Sequence, residues 1–134
     1  MKTHIVAFAV SSLFACGGSQ TTTLTAADSA PAAQGTAKAS IGDNGNTTLD
    51  VEVKHLAPPD RISKDAKFYV VWAKPSDGGA IQNLGMLRVD NDRKGDLTTK
   101  TALRDFTVLV TPESSGSVSR PSEASVMTTE IHVK

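Results

Sequence analysis

The chain has 134 residues, 39% of them hydrophobic, and its 14 Lys and Arg balance its 14 Asp and Glu. That length is one domain's worth, and a net charge of zero gives no electrostatic basis for binding nucleic acid or an anionic lipid surface. A single cysteine excludes a disulfide within the chain, so the fold must rest on an ordinary hydrophobic core.

Met1-Lys2-Thr3-His4 is a short positive start, followed by an almost unbroken apolar run from Ile5 to Ala15. A helix of that length reaches only about 16 Å, well short of a ~30 Å hydrocarbon core, so the segment is expected to be an export signal rather than a membrane span. The run ends in Leu13-Phe14-Ala15-Cys16. This tetrapeptide resembles the lipobox of bacterial lipoproteins. The resemblance implies that the Cys16 thiol receives a diacylglycerol, that residues 1–15 are removed, and that the new amino terminus is acylated. Two or three acyl chains, at roughly 0.8 kcal/mol per buried CH₂, would then hold the protein on a membrane. The expected location is the bacterial cell envelope, with the protein lipid-anchored on the periplasmic side or at the cell surface.

Residues 16–34 are expected to form the lipidated cysteine and a flexible tether. From Gly17 onward this stretch is small, polar and low in complexity, and Leu24 is its only large apolar side chain. The folded domain is expected over residues 35–134, with a hydrophobic period of two. Leu49, Val51 and Val53 alternate with Asp50, Glu52 and Lys54, as in a half-buried strand, and Gly42-Asp43-Asn44-Gly45-Asn46 before them reads as a hairpin turn. Ala57-Pro58-Pro59-Asp60 breaks the pattern, because proline cannot donate to a ladder. Residues 66–75 are apolar on both faces, as a central strand would be, and place Trp72 in the expected core. Residues 80–90 read as another strand, with Gly85 marking a bulge or a close backbone approach. Residues 97–103, 105–113 and 124–134 complete about seven strands, with Phe106, Val108 and Val110 on one face. The pattern predicts an all-β fold, a single antiparallel immunoglobulin-like β-sandwich.

No catalytic constellation is visible. Asp90, Asp92, Gly95 and Asp96 imitate part of a calcium loop, but Lys94 stands where a ligand oxygen belongs and Thr101 where a bidentate Glu belongs. A solvated hairpin turn is expected there. His55 and His132 have no Cys, Asp or Glu cluster of metal-binding spacing beside them and read as surface or edge residues. The serine-rich segment 114–125 has no nucleophile elbow. Tyr69 and Trp72, the only tyrosine and tryptophan, fall on a strand needed for the core, which leaves no aromatic stacking platform.

From Phe68 onward the chain resembles the extracytoplasmic C-terminal domain of the anti-sigma-K factor family. The resemblance lies in Tyr69–Trp72, the turn Asp77–Gly79, Leu84–Met86, and Phe106–Ser117 with Pro121 beyond. It covers about half the chain and implies a β-sandwich. Family members carry a cytoplasmic sigma-binding region and a transmembrane helix before this domain. Here a signal and a lipobox stand in that place, so direct sigma-factor inhibition does not carry over. The expectation is therefore a non-enzymatic interaction or sensory module, monomeric, with no cofactor and no metal. Its partners would be the membrane, through the N-terminal lipid, and an envelope protein. The alternative is a small-molecule or ion-binding envelope lipoprotein.

Overall fold

The structure, a computed structural model, describes residues 19–134. The segment expected to be a signal, residues 1–15, and Cys16 lie outside the described residues. Nine strands form an all-β, antiparallel, nearly barrel-shaped fold: β1 (Gln20–Thr23), β2 (Thr25–Ala26), β3 (Gln34–Ile41), β4 (Thr47–Lys54), β5 (Phe68–Pro75), β6 (Gln82–Val89), β7 (Gly95–Thr101), β8 (Asp105–Glu113) and β9 (Met127–His132). One short 3₁₀ turn, Pro59–Arg61, lies between β4 and β5, where the two prolines interrupt strand pairing.

The spatial order is β1-β3-β4-β7-β6-β5-β8-β9-β2. Alternation decides what each strand buries. Ala37 and Ala39 of β3 and Leu49, Val51 and Val53 of β4 face inward. They meet Tyr69, Val71 and Ala73 of β5, Phe106, Val108 and Val110 of β8, and Ile131 of β9. The central position expected for residues 66–75 holds, since β5 is paired on both sides, with β6 and with β8. Gly85 sits where the β5–β6 register shifts between Val71 and Trp72, and its φ of +132° is open to glycine and strained for other residues.

Two expectations are corrected. The strands number nine rather than about seven. The flexible tether expected up to residue 34 is instead part of the fold from Gln20: β1 pairs with β3, and β2 pairs with β9. Leu24, between them, is only 3% exposed and donates its N–H to the Gly35 carbonyl at 2.8 Å. This segment is the seam that closes the ring. Its composition is too polar to fold alone, but a few buried side chains, Leu24, Ala30 and Ala33, suffice because β3 and β9 offer it ready-made backbone partners.

Trp72 lies on the central strand β5, as expected. It is fully buried, but on the outer face of β5 rather than among the inward-facing residues. Residues 114–126 cross that face as a strap. The Asn83 side-chain amide donates to the carbonyls of Gly116 and Val118, both at 2.9 Å. Gly116 lies so close over Met86 that any Cβ there would collide with its side chain.

Candidate functional site

Because every strand pairs antiparallel, the connections fall at two ends. Residues 42–46, 76–81 and 102–104 join strands at one end, and residues 27–33, 55–67, 90–94 and 114–126 at the other. The first end also carries Gln20. Three contacts knit it together: the His132 N–H donates to Gln20 Oε1 at 2.8 Å, Thr47 Oγ1 to the Leu103 carbonyl at 2.7 Å, and Arg104 to the Gly45 carbonyl at 3.3 Å. The two longest connections, 55–67 and 114–126, are both at the second end.

The long loops are fastened to one another and to the strands. Leu56 N donates to the Arg93 carbonyl at 3.2 Å, Ala27 N to the Val126 carbonyl at 2.8 Å, and Lys67 N to the Glu113 carbonyl at 2.9 Å. Ser63 Oγ donates to Glu123 at 3.1 Å, and the Tyr69 hydroxyl to the Ala57 carbonyl at 2.5 Å. Burial, aided by the nearby charge of Asp60, pushes the Tyr69 phenol well above the ordinary tyrosine value.

Beneath the strap lies a buried carboxylate. Glu113 is 1% exposed and has no cationic partner among the described residues. Its oxygens instead accept from Thr111 Oγ1 at 2.7 Å, from the Ser122 N–H at 3.1 Å and from the Ser122 hydroxyl. Trp72 Nε1 in turn donates to Thr111 Oγ1 at 2.8 Å. A chain of donors thus runs from Trp72 through Thr111 to Glu113. Hydrogen bonding satisfies the buried carboxyl group without an ion pair and fixes Ser122 within the strap.

Between the 55–67 loop and the start of the strap opens a shallow cleft of about 750 Å³, lined by Pro58, Pro59, Asp60, Lys64, Asp65, Lys67 and Ser114. Charges across the whole loop end are balanced. Asp28, Asp60, Asp65, Asp90, Asp92 and Glu123 stand against Arg61, Lys64, Lys67, Arg93, Lys94 and Arg120. Such a surface can recognise a mixed polar partner but has no field of one sign to steer a polyanion.

Cys16 is outside the described residues. Asp90 Oδ1 accepts from Asp92 N at 2.8 Å and Lys94 N at 3.0 Å, so the carboxylate caps its own turn. His55 is exposed with φ +57°. His132 is exposed at the opposite end, where a 2.9 Å contact with Asp105 raises its pKa above the ordinary histidine value. These two histidines are therefore at opposite ends of the fold. The Glu113–Thr111–Trp72 chain was not visible in sequence, since Thr111 and Glu113 look like the polar face of an ordinary half-buried strand. Among the described residues no group of three or more His, Cys, Asp or Glu is placed to hold a metal ion. None of the described helices is long and apolar enough to cross a membrane. A scan against protein families finds no match for this chain, and neither does a search of curated proteins.

Proposed function

We propose that the chain is a lipid-anchored, non-enzymatic protein of the bacterial envelope. In this reading it is an interaction or sensory module that resembles the anti-sigma-K extracytoplasmic domain and lacks direct sigma-factor binding. Antiparallel strands wrapped about a common core support taking its fold as an immunoglobulin-like sandwich. The observation that carries the functional reading is the segregation of the long loops to the end opposite Gln20. Loops braced on a rigid sheet are where binding surfaces are built. Here they are tied together at Leu56–Arg93, Ser63–Glu123 and Lys67–Glu113. The loop end would meet the envelope partner, and the lipid on Cys16 would keep the domain at the membrane.

Two experiments test this. Photo-crosslinking residues placed at Lys64, Asn91 or Ser119 should capture one envelope protein in intact cells, while the same residue at Ser76 should not. Equal capture from Ser76 would refute the assignment of the binding end. Metabolic labelling with a fatty-acid analogue should mark the wild type and leave Cys16→Ser unmarked. The cleft beside the 55–67 loop favours a second reading, the binding of a small polar ligand. A ligand-dependent rise in melting temperature that is lost in Lys64→Ala would select it.

A further inference from the structure

We infer that the short-turn end of the fold faces the lipid bilayer at close range, so that the loop end is held at a set height above it. This rests on the lipid-anchor reading of Cys16 and adds an orientation to it. Only residues 17–19 separate Cys16 from β1, so the chain from Cys16 to Gln20 can span at most ~14 Å. A tether running to residue 34 would have allowed roughly 60 Å and any orientation. The pairing of β1 with β3 and of β2 with β9 removes that freedom.

Gln20 is also at a defined end. Its side chain accepts from the last residue of β9, and its Cα partner is Ala39, near the 42–46 turn. The surface that meets the lipid is therefore made of the turns 42–46, 76–81 and 102–104. Its charges are mixed, with Asp43 and Asp77 beside Lys74 and Arg104, so chain length rather than electrostatic attraction imposes the orientation. The eight-residue strands rise about 26 Å from this end, which sets the loop face within roughly 40 Å of the bilayer. Any partner of the loops must present its binding surface within that layer.

The test uses the lipidated full-length protein in phosphatidylcholine vesicles that carry an acceptor-labelled lipid. Cys16 is consumed by its lipid, so a single new cysteine, Ser76→Cys or Asn91→Cys, takes the donor dye. Both side chains are exposed and at opposite ends. Transfer to the bilayer should be several-fold stronger from position 76 than from position 91. The difference should persist in high salt and collapse when a long Gly/Ser linker is inserted after Gly18. Equal transfer from both sites, in protein that floats with the vesicles, would overturn the orientation while leaving the anchor intact. Protein that fails to float would overturn the anchor reading and this inference with it.

Discussion

Replacing Leu24 by Ala asks whether the N-terminal seam belongs to the domain. Leu24 is 3% exposed, and it packs over Gly35 at the point where β1 gives way to β2. Truncation to Ala removes three carbons, worth about 2.4 kcal/mol at roughly 0.8 kcal/mol per buried CH₂. The space left behind adds a cavity cost, which brings Leu→Ala changes in cores to about 2–5 kcal/mol. A seam between two strands relaxes more readily than a central layer, so a loss of about 3 kcal/mol is expected, a large part of a domain's ~5–15 kcal/mol. Urea unfolding of residues 19–134, followed by circular dichroism, measures it. The exposed neighbour Thr21→Ala serves as control and should stay within about 0.5 kcal/mol of the parent. A Leu24→Ala loss below about 1 kcal/mol would refute the seam and return residues 17–34 to the role of a tether.

The remaining predictions concern the strap and the buried hydroxyls. Glu113→Ala leaves the Ser122 and Thr111 donors without their acceptor, and should cost about 3 kcal/mol. Hydrogen exchange should speed up across 114–126 and remain slow in β3 and β4; unchanged exchange in the strap would show that the Glu113–Ser122 contact does not hold it. Trp72→Phe should cost about 1–2 kcal/mol, less than the ~3–5 kcal/mol of Trp72→Ala, since the phenyl ring still fills the space while Thr111 loses one donor. The parent's tryptophan emission should be blue-shifted, and a solvent-exposed spectrum would contradict burial under the strap. Tyr69 is the only tyrosine, and its phenol is held above the ordinary value of 10.0 by burial first and Asp60 second. A raised folded-state value means that its contribution to stability is complete below the unfolded value and is lost as pH climbs through the folded one. The tyrosinate band at 295 nm should therefore appear together with alkaline unfolding; titration near pH 10 with the fold intact would disprove the burial.

Alternation along the chain determined much of this protein by itself. Leu49, Val51 and Val53, and Phe106, Val108 and Val110, point inward because a strand's side chains alternate faces whatever it pairs with. The turn at 42–46 and the irregularity at Gly85 were legible for a similar reason, since both depend on backbone conformations that particular residues permit. Only the tertiary structure could decide that the segment Gln20–Ala26 forms β1 and β2. Its polar residues carry almost no local signal, and its order comes from the open edges of β3 and β9. The same holds for Trp72 and Glu113. Periodicity assigns them to one face of β5 and β8, but burial of that face depends on residues 114–126, a Ser-rich segment with no pattern of its own. The loop end, too, exists only in three dimensions. Residues 55–67 and 114–126 are neighbours because antiparallel pairing brings alternate connections to the same end, a relation set by topology rather than by any residue in either loop.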